Sequence, residues 1–263
     1  MEILDTTAII TGAARGIGAA IAERMLASGA AVVISDIDAP ALDRTEARLR
    51  ALYPNKVVAK AGDAADRSDI VALIDLAENN FGLVDFYFAN AGAVVGEGLD
   101  ASEEQWDFAF DLNLRAHVRA AQLLIPKWLE RQKGYFFSTA SAAGLLTQIG
   151  SPTYATSKHA AIAFAEWLRV TYGDRGIRVS TLCPMGVDTD LLNIEGSIAI
   201  KAVKSAGAVV SAEDVAEEVI KAIGTEQFLV LPHPEVGDFF AHKANNYDSW
   251  LSSMTKYRQS IEN

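Results

Sequence analysis

TAIITGAARGIGAAIAERMLASG, residues 7–29, decides how the rest of the chain is read. TAIIT (7–11) is apolar and β-branched, which suits a buried strand. Gly12, Gly16 and Gly18 follow at once, and IGAAIAERMLASG (17–29) has the apolar spacing of a helix. A glycine turn carries meaning when it joins a strand to a helix. Gly12 permits the tight turn. Gly16 and Gly18 withhold side chains where backbone must approach a pyrophosphate and where helix meets strand. The helix N-terminus then offers free N–H groups and a positive dipole end to phosphates. The spacing, Gly-x-x-x-Gly-x-Gly, differs from the commoner dinucleotide fingerprint. A turn without a ligand could hold the same glycines, but its place between strand and helix favours a nucleotide site.

Outward from this unit, short apolar runs alternate with longer amphipathic ones. AVVIS (31–35), KVVAK (56–60), VDFYFA (84–89), GYFFS (134–138), RVSTLC (178–183) and QFLVLP (227–232) read as six further strands. Helices are expected at 39–53, 68–82, 103–131, from Tyr154 toward Gly173, and over 212–223. Ser102 with Gln105 makes a capping box, and Ser211 caps the helix over 212–223. Alternating apolar strands and helices predict a single α/β domain over 1–263: a doubly wound, seven-stranded parallel sheet with helices on both faces.

Composition agrees. The chain has 263 residues, 50% of them hydrophobic, enough for one sizeable core. Its net charge of −11 would repel a phosphate polyanion, so no nucleic-acid partner is expected. One cysteine, Cys183, excludes an intrachain disulfide, and the histidines show no metal spacing, so no metal is expected. No signal-peptide pattern opens the chain, and no apolar run reaches the length of a membrane span. A cytoplasmic protein is the expectation.

Two further features point to chemistry. Asp36 ends the second strand, eighteen residues after Gly18. A carboxylate there can accept both ribose hydroxyls of NAD and repels a 2′-phosphate. Arg15, in the glycine turn, pulls the other way, because it could pair with that phosphate. NAD is expected over NADP, since the carboxylate excludes directly while the arginine can swing aside. In SPTYATSKHAAIAFAEWL, Tyr154 and Lys158 are four apart and share a helix face. A free phenol has a pKa of about 10, and bringing it near neutrality needs about 4 kcal/mol. A neighbouring ammonium in a partly desolvated site, helped by a bound cofactor cation, is a source of that stabilisation.

TGAARGIG, Asp63, ANAG (89–92), Asn113, Ser141, YATSK and CPMGVDT (183–189) occur in one order over nearly the whole chain. Together they resemble the short-chain dehydrogenase/reductase family, of the type near 250 residues, whose fold is a single Rossmann domain. The resemblance implies a catalytic quartet. Tyr154 would be the acid/base, and Lys158 would lower its pKa and hold the nicotinamide ribose. Ser141 would bind the substrate oxygen. Asn113 would kink the long helix and hold a water in a relay to Lys158. Asp63 would meet the adenine edge, with Asn90, Ala91 and Gly92 beside the adenine ribose. Pro184, Gly186, Val187 and Thr189 would meet the nicotinamide end, and Ile17, Ile37 and Ala64 would complete the cofactor lining. Departures are Ala89 before Asn90, Ser138, Ala140, and Met185 between Pro184 and Gly186.

By the same resemblance, residues 189–211 form a substrate lid, with Gly196 and Gly207 as hinges. Leu191, Leu192, Ile194, Ile198 and Ile200 make it apolar, while Lys201 and Lys204 read as solvated. Met185 could shape the pocket, and Val94, Val95, Leu145 and Ile149 would line the opposite wall. An uncharged, apolar secondary alcohol or ketone is the expected small-molecule substrate. From Pro234 to Asn263, Val236, Phe239, Phe240, Tyr247, Trp250, Leu251, Met254 and Tyr257 form an apolar helical stripe. This extension would cover the chain's own core, the site mouth or a neighbouring subunit. The family commonly forms dimers or tetramers, so a homo-oligomer is expected. The leading function is an NAD-dependent alcohol dehydrogenase or ketone reductase. The alternatives are an NADP(H) ketoreductase, another reaction on the same fold, and a non-enzymatic NAD-responsive regulator.

Overall fold

All seven expected strands form one parallel sheet in a computed structural model that describes residues 1–193 and 197–262. They are β1 (Thr7–Thr11), β2 (Ala31–Asp36), β3 (Val57–Ala61), β4 (Phe86–Ala89), β5 (Gly134–Thr139), β6 (Ile177–Leu182) and β7 (Leu229–Val230). The order β3-β2-β1-β4-β5-β6-β7 reverses direction between β1 and β4. Such a switch point opens a crevice at the carboxyl ends of the strands, where ligands bind in open α/β sheets.

Helices cover both faces. They are α1 (Gly16–Ala27), α2 (Ala39–Leu52), α3 (Arg67–Phe81), α4 (Glu103–Phe110), α5 (Ala116–Arg131), α6 (Pro152–Tyr172), α7 (Ile198–Ala206), α8 (Ala212–Thr225), α9 (Glu235–Asn245) and α10 (Tyr247–Glu262). Successive strand residues point to opposite faces, so one strand feeds two cores. Phe86, Phe88, Tyr135 and Phe137 join the core under α1, α2 and α8, while Tyr87 and Phe136 join the core under α3, α5 and α6. These aromatics are paired in register across β4 and β5, with ring centroids 5.3–5.9 Å apart. Each such stacked pair adds about 0.5–1.5 kcal/mol beyond the area it buries. Both capping boxes read from the sequence are present, at Ser102 and Ser211.

One helical expectation is refined and one changes. The kink that the resemblance implies at Asn113 takes the form of a π-helical turn at Asp111–Arg115, which divides the helix expected over 103–131. The bulge turns Asn113 fully inward, where its amide bonds the Ala93 backbone. The stripe expected over 234–263 breaks at Asn246 into α9 and α10. Of that stripe only Val236 and Trp250 are buried, while Phe239, Phe240, Tyr247 and Leu251 remain exposed. Ile194, Gly196 and Asn263 lie outside the described residues. Among the described residues no helix is long and apolar enough to cross a membrane, and no cluster of His, Cys, Asp and Glu suits a metal ion.

Candidate active site

A cleft of about 480 Å³ lies over the carboxyl ends of the strands at the switch point. At one end the glycine turn packs against Asn90 and Ala91, which follow β4. Gly12 has φ +63°, a conformation that glycine adopts without strain, and a Cβ there would lie 2.8 Å from Ala91 Cα. A Cβ on Gly18 would fall on the Gly12 carbonyl and lie 2.7 Å from Asn90 Nδ2. The turn therefore has room for backbone alone, which is the shape a phosphate cradle needs.

Asn90 ties this turn to the sheet. Its Nδ2 donates to the carbonyls of Thr11 and Gly12 at 3.0 and 3.2 Å, and its Oδ1 accepts from Thr139 Oγ1 at 3.1 Å. Thr11 Oγ1 in turn accepts from the backbone N–H groups of Asn90 and Ala91. Thr11 and Thr139 were not singled out in the sequence, because a hydroxyl at a strand end carries no local signature.

Asp36 does two things at once. Its carboxylate accepts from Ala14 N–H at 3.0 Å and from Asp38 N–H at 3.1 Å, and it also lines the cleft. The same two bonds brace the turn and fix the carboxylate at the cleft wall. Arg15 also lines the cleft, but it is engaged by two acids, donating to Asp190 at 2.8 Å and meeting Asp38. Ile17, Ile37, Asp63, Ala64, Ala91 and Gly92 line the same cleft, as do Pro184, Val187 and Thr189 farther along.

The chemistry-bearing residues stand near its middle. Lys158, only 2% exposed, donates to the Thr139 carbonyl at 2.8 Å and lies 5.7 Å from the centre of the Tyr154 ring. Ser141 accepts from Ala143 N–H at 3.1 Å and lines the cleft beside Tyr154. Asn113 lies behind the wall. A Cβ on Gly92 would meet Asn113 Oδ1 at 3.0 Å and Lys158 Nζ at 3.1 Å, so the two groups converge on that glycine. Asn113 Nδ2 is used by the Ala93 carbonyl and Ser157 Oγ, and Oδ1 by Ala93 N–H. One Oδ1 lone pair is left for a further donor.

Burial pushes the Tyr154 phenol up in the chain alone, while the Ser141 hydroxyl pulls it down. Burial also brings the Lys158 pKa down to about 8.

The substrate side divides similarly. Val94, Met185, Leu191 and Leu192 line the cleft, joined by Phe108, Leu112, Gln148, Ala199, Ile200 and Val203. Leu145 does not line it: the side chain packs with Ile162, Cys183 and Val236 in a separate buried cluster. Gly186 also stands off the cleft, its carbonyl accepting from His233 Nε2 at 3.0 Å. Val95 and Ile149 are not in the lining. Gly207 is extended, at φ 177°, so no hinge strain calls for glycine; a Cβ there would lie 2.6 Å from Met185 Cε. The ends of the 189–211 segment are pinned by a Val187–Val210 bridge.

The family model of the short chain dehydrogenases matches residues 6–197. The chain belongs to the short-chain dehydrogenase/reductase family. A 1-deoxy-11-beta-hydroxypentalenate dehydrogenase of Streptomyces exfoliatus is 37% identical over 89% of this chain and 86% of its own length. A 2-(R)-hydroxypropyl-CoM dehydrogenase of Xanthobacter autotrophicus is 32% identical over 72% of this chain and 77% of its own. A short-chain dehydrogenase/reductase from Burkholderia phymatum, solved in complex with NAD, superimposes with a TM-score of 0.87 at 28% identity, covering 94% of this chain and 96% of that one. The chain is an oxidoreductase of this family.

The cradle gives a direct test of cofactor fit. Gly18→Ala must shift the turn or Asn90, a strain of about 1–3 kcal/mol. Dinucleotide binding, read by quenching of protein fluorescence, should weaken by about ten- to a hundredfold.

Proposed function

We propose that this protein is an NAD-dependent dehydrogenase that interconverts an apolar, uncharged secondary alcohol and its ketone. The observation that carries the reading is the meeting of Ser141, Tyr154 and Lys158 in the cleft that the glycine turn and Asp36 also line. A nicotinamide dinucleotide held by these cofactor-lining residues would supply the hydride acceptor. Ser141 and Tyr154 hold the substrate oxygen and stabilise its partial negative charge. Tyr154 takes the hydroxyl proton during oxidation and returns it during reduction. Lys158 spends one N–H on the Thr139 carbonyl and keeps two for the ribose and the phenolate side. Asn113 holds the Ala93 backbone and offers its remaining lone pair toward the relay.

The substrate class rests on the lining. Among the described residues, Arg15 and Lys158 are the cations of the cleft, the first at the glycine turn and the second at the tyrosine, and neither belongs to the apolar wall. The wall of Val94, Phe108, Leu112, Leu192, Ile200 and Val203 offers no partner to a carboxylate or phosphate. Both relatives described above are named for substrates that carry a hydroxyl group, and the first name, a hydroxypentalenate, is that of a carboxylate, so the uncharged class rests on the lining alone. A dimer or tetramer is proposed from the family resemblance, and light scattering of the purified chain reads it.

The test is a panel of alicyclic and aromatic secondary alcohols with NAD, scored by NADH absorbance, each beside a carboxylate analogue. Uncharged members should exceed their analogues in kcat/KM by about tenfold or more, the cost of a buried, unpaired charge. A folded protein that reduces no NAD with any of them, or prefers the carboxylates, would sink the reading.

A further inference from the structure

The C-terminal helices were expected to bury an apolar stripe, yet Phe239, Phe240 and Leu251 are each 39–46% exposed. What these helices bury instead is a cation. Lys243 is 7% exposed and donates through Nζ to the carbonyls of Leu145 and Leu146 at 2.7 and 2.6 Å. Those carbonyls directly follow the short helical turn, Ala142–Gly144, that Ser141 caps. The ammonium also lies 5.7 Å from the Tyr247 ring centre and 5.0 Å from that of Trp250. Among the described residues no carboxylate is within ion-pair distance of it. A buried cation is costly unless its partners are good. Here the hydrogen-bond partners are two backbone carbonyls of the loop that carries Ser141.

The same part of the chain touches two other walls of the cleft. Tyr257 donates to the Ala202 carbonyl at 2.7 Å, and its oxygen lies 2.7 Å from Ser205 Oγ. Both residues belong to α7, whose Ala199, Ile200 and Val203 line the cleft. His233, just before α9, accepts from Met185 N–H at Nδ1 and donates from Nε2 to the Gly186 carbonyl. Three separate walls are thus tied to one C-terminal segment.

We propose that this segment is a brace on the candidate site, with Lys243 positioning the Ser141 loop and Tyr257 positioning α7. Burial pushes the Lys243 pKa down, in keeping with an ammonium held by carbonyl dipoles rather than by a counter-charge. The effect on turnover rests on the dehydrogenase reading above; the effect on the loops does not.

The test compares Lys243→Met, Lys243→Arg and Tyr257→Phe in the full chain. Amide hydrogen exchange is read over residues 141–148 and 198–206, beside kcat, KM and NAD affinity. Losing two charge-assisted hydrogen bonds, K243M should speed exchange over 141–148 by about tenfold and lower kcat similarly, with NAD affinity unchanged. K243R keeps a cation with several donors and should restore both to within about fivefold. Y257F should speed exchange over 198–206 and raise KM by about threefold, with kcat held, as expected for one lost hydrogen bond. Unchanged exchange over 141–148 in a folded K243M, or a rise spread equally over the sheet, overturns the proposal. If K243M does not fold, unchanged exchange over 198–206 in Y257F overturns it. A wild-type chain that oxidises no alcohol would refute the dehydrogenase reading alone, since the exchange arms would still decide the brace.

Discussion

Tyr154→Phe should lower kcat for alcohol oxidation by about a thousandfold, the middle of the range for losing a positioned acid/base. The substitution removes one oxygen and leaves the ring 5.7 Å from Lys158 Nζ in place. NAD affinity, read by fluorescence, should therefore stay within a few fold of wild type. The pH dependence adds a second readout. Oxidation needs the phenolate, so its rate should rise with pH through the phenol's pKa, while reduction needs the phenol and should fall. Burial raises that pKa in the chain alone, with the Ser141 hydroxyl in partial opposition. A positive charge bound beside Lys158 would draw it back down. The rising limb of kcat, which reports the ternary complex, should thus lie below the pKa of Tyr154 in the free protein, and it should vanish in the Phe variant. A Phe variant retaining more than a tenth of the wild-type kcat would remove Tyr154 from the role.

Local patterns made most of the fold readable. The strands were found because a buried parallel strand has to be apolar on both faces, as Phe86, Tyr87 and Phe88 are. The glycine turn was readable because its chemistry is contained in eight consecutive residues. Helical spacing put Tyr154 and Lys158 on one face, and the glycine turn, Asp36, Asn113 and Ser141 elsewhere in the chain gave that pair its meaning. What the sequence hid was set by contacts between distant segments. The resemblance implied a kink at Asn113, but no local pattern gave its π-helical form or its partner, the Ala93 backbone 20 residues away. Leu145 is apolar and near Ser141, so it resembled a pocket residue, but Val236 and Ile162 claim it for a different cluster. Lys243 looks like any helix-surface lysine in sequence, and its buried contact with Leu145 spans 98 residues. His233 likewise gained its place from the Met185–Gly186 turn, 48 and 47 residues away.

Asp36→Ala should reverse or erase the NAD preference proposed above, with the NAD-to-NADP ratio of kcat/KM falling by about a hundredfold or more. Two charge-assisted hydrogen bonds to ribose hydroxyls are each worth about 1.5–3 kcal/mol, and the carboxylate's repulsion of a 2′-phosphate disappears with them. Arg15 opposes this preference, so its own state matters. It is tied to Asp38 and Asp190, but its side chain is 50% exposed and theirs 40% and 71%. Pairs that open to water contribute about 0–1 kcal/mol each. They therefore hold the guanidinium back only weakly, and on the reading proposed above it is the fixed carboxylate of Asp36 that outweighs it. This ordering of magnitudes makes a sharper prediction. Asp38→Asn with Asp190→Asn should raise NADP use by less than about tenfold while Asp36 is present. The same pair added to Asp36→Ala should raise it further, because a freed Arg15 then meets a phosphate that nothing repels. A wild-type enzyme with higher kcat/KM for NADP than for NAD would show instead that Arg15 outweighs Asp36, and the double asparagine variant would then carry the larger effect.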